Sequence, residues 1–225
     1  MIAHLIYSKW PSGGTLWHTL PTMKPPLPLL PKLCLLIVLA TLAWSAVGPF
    51  DRATWWMEVL PVLIIVPLCL FTAKRFPLTS LLYVLIAIHC VILIIGGHYT
   101  YARVPLFNDI KEWLGTARNS YDGLGHFAQG FIPAIGIREL LLRTSPLKPG
   151  KWLFAIIVMG CFEISAVYEL LEWVTALIEG GAADEFLSTQ GDIWDPQKDM
   201  ALAGAGAVIA LVTLSRWHSA QLARL

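Results

Sequence analysis

Charge is what this sequence has little of. Only 14% of its 225 residues are Asp, Glu, Lys or Arg, where a soluble domain carries about 25%. With 56% hydrophobic residues and a mean hydropathy of +0.65, that shortage excludes a soluble domain. A net charge of +1 supplies no basic field to draw nucleic acid, so no nucleic-acid partner is expected. Compact catalytic signatures are also missing. There is no H-E-x-x-H zinc motif, and the glycines of "GGTLWHT" and "GAGAV" lack the spacing of a phosphate loop. Cys34, Cys69, Cys90 and Cys161 all lie inside apolar runs. They have neither metal-like spacing nor a loop position that favours a disulfide, and read as small packing residues.

What is present is a series of apolar segments approaching the roughly 20 residues a bilayer-crossing helix needs. Six candidates run over 33–47, 55–73, 78–97, 124–142, 152–178 and 200–214. The expected fold is therefore all-α: a polytopic membrane protein with a bundle of six transmembrane helices in residues 32–225. Residues 1–31 read as a weakly structured N-terminal extension. "MKPPLPLLPKLCLLIVLA", starting at Met23, has more the character of a natural start than the irregular residues before it. A cleaved signal peptide is the competing reading, resting on the small residues of "AWSAV". With both termini cytoplasmic, eleven of the 16 Lys and Arg residues fall inside and five outside, the bias expected of cytoplasmic loops. The acidic stretch 179–199 then faces outward. Trp55, Trp56, Trp113, Trp152, Trp173 and Trp194 cluster near span ends, as an interfacial aromatic belt requires.

The few ionisable residues inside spans demand partners, because each costs roughly 2.5–3.5 kcal/mol at the centre of an inserted helix. In "SYDGLGHFAQGF" Asp122 and His126 are four residues apart and share a helical face, continued by Gln129. In "AVYELLEW" Glu169 and Glu172 are three apart and again neighbours. Glu163 points about 120° from Glu169 and opposite Glu172 at 100° per residue, outside that cluster. The last span opens with "DIWDPQKDM". There Asp195 before Pro196 suits a helix N-cap, while Asp192 and Asp199 need another explanation. Ala203, Gly204, Gly206 and Ala207 below them allow a second helix to approach closely. The outer ends of the last three spans thus offer Asp122, His126, Glu169, Glu172, Asp192 and Asp199.

One imidazole among several carboxylates serves two chemistries. It can hold a divalent metal, with His126, Glu169, Glu172 and Asp199 as candidate ligands for Mn, Zn or Fe. It can also run acid–base chemistry, with Asp122, His126, Glu169, Glu172 and Asp199 as candidate catalytic groups. A polar network that only locks three helices together is the structural alternative. His98, at the outer edge of the third span, is a further candidate member, and "HYTYARVPLFNDIKEW" reads either as an amphipathic lid or as an ordinary loop.

On "NSYDGLGHFAQGF", "AVYELLEW" and "ADEFLSTQGDIWDPQKDM", the chain resembles the YjdF-type bacterial inner-membrane proteins, a family of unassigned function. The resemblance implies a six-helix protein of the bacterial inner membrane. The acidic last helix also looks like that of VanZ-type proteins linked to glycopeptide resistance, which usually carry an arginine where Lys198 is the nearest equivalent. Three functional classes follow. The first is a membrane-embedded enzyme acting on a lipid or lipid-linked substrate. The second is a proton-coupled transporter or lipid-moving protein with Glu163 as relay. The third is a non-catalytic assembly or binding protein.

Overall fold

The computed structural model describes residues 29–179 and 190–225. The extension before Leu29 and the acidic residues Asp184 and Glu185 lie outside the described residues. Seven helices are described: α1 (Leu29–Ser45), α2 (Arg52–Thr72), α3 (Ser80–Tyr99), α4 (Pro105–Leu114), α5 (Tyr121–Thr144), α6 (Lys151–Glu179) and α7 (Asp195–Leu222). No strand occurs among the described residues.

Local chemistry sets several boundaries. Asp51 caps α2 by accepting the Thr54 N–H at 2.7 Å, and Thr79 caps α3 by accepting the Leu82 N–H at 3.3 Å. The capping bond, to the Thr54 backbone N–H, also holds the Asp51 carboxyl below its usual range. Four helices, α2, α3, α6 and α7, are long and apolar enough to cross a membrane. Helix α1 is apolar but only 17 residues long. Helix α5 has the length, at 24 residues, and dilutes its apolarity with Asp122, His126, Arg138, Glu139 and Arg143. Large apolar side chains cover the outside; Phe71 is 85% exposed and Val212 72%. Lipid is the solvent that tolerates such a surface.

The axis of the bundle is the pair α5–α7. Ala203, Ala207 and Ala210 are fully buried along it. A methyl group on Gly130 would overlap the Ala203 backbone carbonyl, and one on Gly206 would overlap the carbonyl of Phe127. The two backbones therefore touch, as small residues permit in membrane helices. Helix α6 lies against both members of the pair, and α3 joins α5 to α1 and α2.

Three expectations are corrected. Helix α7 does not stop at 214: it runs to Leu222 because Ser215, His218, Ser219 and Gln221 are polar without breaking a helix. Gln221 turns inward and accepts the Leu81 N–H at 2.9 Å. Asp195 is not a cap. It is the first residue of α7, with Trp194 at the cap position and no capping side chain, because Arg118 takes its carboxylate at 2.5 Å. Trp55 does not join a belt either; it is buried and donates its indole N–H to Ser45 Oγ at 3.1 Å. Trp56, Trp113, Trp152, Trp173 and Trp194 are exposed.

Candidate functional site

The N-terminal turns of α5 and α7 lie side by side, and this sets the site. Helix α5 contributes Asp122 and His126 one turn apart, and α7 contributes Asp199 from its second turn. All three are buried, and one ligand atom from each lies within 4.8 Å of the others. His126 Nε2 stands 3.7 Å from Asp122 Oδ1 and 3.5 Å from Glu169 Oε1 on α6. Glu172, a turn further along α6, lines the same small cavity together with Asp122, His126 and Gln129. That cavity is about 20 Å³, room for about one water molecule. His126 Nδ1, Gln129 Oε1 and Glu169 Oε1 are buried without a hydrogen-bond partner among the described residues. These are atoms that a bound water or ion would satisfy.

Cations are used at the rim. Arg118 bonds Asp192 at 2.9 Å and Asp195 at 2.5 Å, and Lys198 also pairs with Asp192. Burial opposes the Arg118 charge, but the bonds and charges of Asp195 and Asp192 outweigh it and hold the guanidinium above the usual arginine range. The Lys198 ammonium, the Trp194 backbone N–H and Arg118 bring the Asp192 carboxyl down to about 2. Asp192 therefore belongs to a solvated ion-pair cluster above the site.

The match to known proteins covers nearly all of these residues. The family described as "Predicted membrane protein (DUF2238)" matches residues 30–220. The chain belongs to this family. It is also 47% identical over 197 residues to the "Inner membrane protein YjdF" of Escherichia coli (strain K12), covering 88% of this chain and 94% of the relative. No solved structure matches the chain. This DUF2238 member is thus a multi-pass, helical inner-membrane protein.

Three further groups at the site of this DUF2238 member are absent from the reading by spacing. Glu58, buried on α2, accepts a hydrogen bond from Tyr168 Oη of α6 at 2.7 Å. It fits there because Gly97 of α3 has no side chain; a methyl group would press on Glu58 Cβ. Tyr101 follows Thr100 in a turn where both take left-handed backbone conformations, with φ of 50° and 54°. That uncommon pair of non-glycine residues turns the Tyr101 ring onto Gly96 and Gly125 and into the cavity wall. Burial, then the nearby Glu58 charge, pushes the Tyr101 hydroxyl well above its ordinary range, so it remains a donor. Glu58 had one legible signal, a lone carboxylate inside the apolar second span.

Other candidates lie elsewhere. His98 bonds the Ser45 carbonyl at 2.9 Å and packs on Trp44. Glu163 is exposed on the outer surface of α6. Within the loop candidate, "PLFNDIKEWL" forms the short helix α4, with Trp113 84% exposed. At the far end of α5 a second buried network links Arg138 and Glu139 to His218 of α7, a histidine that sequence spacing did not single out.

Proposed function

We propose that this protein is a membrane-embedded, metal-dependent enzyme acting on a lipid or lipid-linked substrate. The observation that carries it is the convergence of Asp122, His126 and Asp199 within 4.8 Å, buried. Donors sharing one divalent ion at about 2.0–2.2 Å each lie roughly 3–3.6 Å from their neighbours, so the three groups would have to draw together by about an ångström at their widest separation to complete a site. Two carboxylates and an imidazole suit Mn, Zn or Fe. Such an ion would supply a Lewis acid and an activated water. Glu169, 3.5 Å from His126, is placed to accept a proton, and Glu172 to supply a second carboxylate. The cavity is too small for a head group, so substrate would meet the site at its mouth, with its acyl or isoprenoid chain in the bilayer.

Proton-coupled transport is less supported, because its mid-depth relay Glu163 lies on the outer face of α6. A six-span arrangement with cytoplasmic termini would use α1 and α5 as the two remaining crossings and put this site on the outer side. Reporter fusions after Ala73 and Arg224 would then read cytoplasmic and one at Gly181 extracytoplasmic.

Metal content tests the central reading. Protein purified in detergent from metal-supplemented cells should carry about one divalent ion per chain. His126→Ala and Asp199→Asn should lose it while keeping their helical circular dichroism. A wild-type protein that neither retains Mn, Zn or Fe nor gains thermal stability on titration with them would overturn the proposal.

A further inference from the structure

The opposite end of the α5–α7 pair holds a cavity of about 450 Å³, more than twenty times the volume beside His126. It opens between α5, α6 and α7. Its polar wall consists of Arg138, Lys151 and Ser215, and its apolar wall includes Leu153, Ile157 and Leu211.

The charge balance of this wall is unusual. Arg138 is only 4% exposed. Its Nη1 lies 2.7 Å from His218 Nδ1, and its Nη2 donates to Ser219 Oγ at 2.7 Å. A guanidinium has no acceptor atom, so His218 Nδ1 accepts and the imidazole carries its proton on Nε2. That proton is donated to Glu139 Oε2 at 2.9 Å. Glu139 is meanwhile engaged by Arg143 at 2.8 Å and by the Thr79 hydroxyl at 2.7 Å. The carboxylate of this network is therefore committed to Arg143, and the hydrogen-bond partners of Arg138 among the described residues, His218 and Ser219, are both neutral. A buried cation facing a cavity without a counter-charge is costly.

The mouth adds two more features that favour an anion. Lys151 is exposed there, and it begins the 29-residue helix α6, whose first turn lines the cavity through Lys151, Leu153 and Phe154 and leaves amides without intrahelical acceptors. Phosphate is the anion that an arginine fork, a lysine and helix-terminal amides recognise together. The apolar wall below suits a hydrocarbon chain, and basic pockets between transmembrane helices are known to take phospholipid head groups.

We propose that this cavity is a binding site for a phosphate group, carried by an anionic phospholipid, with Arg138 as its buried anchor and Lys151 at its mouth. It is independent of the metal reading at the other end of the bundle.

The test uses full-length protein in detergent, with native mass spectrometry and thermal unfolding as readouts. Phosphatidylglycerol, diacylglycerol and inorganic phosphate are added separately. Phosphatidylglycerol should be retained and raise the unfolding temperature, and diacylglycerol should do neither. Loss of one charge-assisted contact should weaken retention about tenfold in Arg138→Gln, with partial recovery in Arg138→Lys. Lys151→Gln leaves the buried network intact and should weaken it several-fold, which decides the matter if Arg138→Gln fails to fold. Stabilisation by inorganic phosphate that matches phosphatidylglycerol and is lost in Lys151→Gln would support the phosphate site and transfer it from lipid to free anion. Equal retention of diacylglycerol, or retention of phosphatidylglycerol unchanged in Lys151→Gln and Arg138→Lys, would overturn the proposal.

Discussion

Gln190 and Asn119 hold each other by two reciprocal hydrogen bonds. The Asn119 N–H donates to Gln190 Oε1 at 2.9 Å, and Gln190 Nε2 donates to the Asn119 carbonyl at 2.9 Å. One residue leads into α5 and the other into α7, so this clamp sets the level of Asp122 and His126 against Asp199. Asn119 is itself buried and bonded to Val104 and Asn108. The Gln190→Ala variant leaves a buried amide and carbonyl unpaired, a cost of about 1–3 kcal/mol. A lower unfolding temperature and weaker metal retention are expected together; a variant as stable as wild type would show that the clamp does not set this register.

The α5–α7 contact gives a contrast between two glycines of one helix. In Gly130→Ala the new methyl meets the Ala203 backbone, which cannot swing aside. The helices must separate, and the proposed metal binding should be lost with stability. In Gly136→Ala the nearest atom is Leu82 Cδ1 at 3.9 Å, an ordinary contact. That variant should gain roughly 0.5–1 kcal/mol from helix propensity. Parallel thermal unfolding and metal analysis of the two variants checks both signs.

Tyr168→Phe removes the 2.7 Å bond to Glu58 and leaves its carboxylate short of a donor. We expect a loss of about 1–3 kcal/mol with metal content retained, since neither residue belongs to the Asp122–His126–Asp199 group. Loss of metal in Tyr168→Phe would place Glu58 among the ligands.

Acid sensitivity follows from Asp192. Its native pKa, about 2, lies below the unfolded value of about 3.9. The unfolded chain therefore binds the proton first as pH falls. The ion pairs of Asp192 stabilise fully above pH 4 and are lost progressively as pH drops toward 2. Asp192→Asn should flatten the stability profile across that window and leave its shape above pH 5 unchanged. A profile that retains its full slope in the variant would assign the acid sensitivity to other groups.

Much of the site was legible because it is periodic. Asp122 and His126 on one turn, and Glu169 beside Glu172, follow from helical geometry once the segments are read as helices. Convergence of Asp199 follows because α6 runs back between α5 and α7, so that these two helices start at the same level, and because small residues lie behind Asp199. What spacing could not show are partnerships across the fold. Glu58 meets Tyr168 from 110 residues away, and His218 meets Glu139 from 79 away. The left-handed turn at Thr100–Tyr101 has no glycine to announce it. Asp195 misled because a capping residue and an ion-pair partner look alike in sequence; Arg118, remote along the chain, decides between them.

The glycine-to-backbone contacts between α5 and α7 carry a mechanical consequence. Each helix bears polar machinery at both ends: Asp122 and His126 against Arg138 and Glu139 on α5, Asp199 against His218 on α7. Backbones in contact at Gly130 and Gly206 leave no soft layer of side chains to absorb a slide or a tilt. A displacement imposed at one end is therefore transmitted as a lever transmits it, with the glycine contact as fulcrum. Any coupling between an occupant at the Asp199 end and one at the Arg138 end that runs through this contact acts by the same factor in both directions.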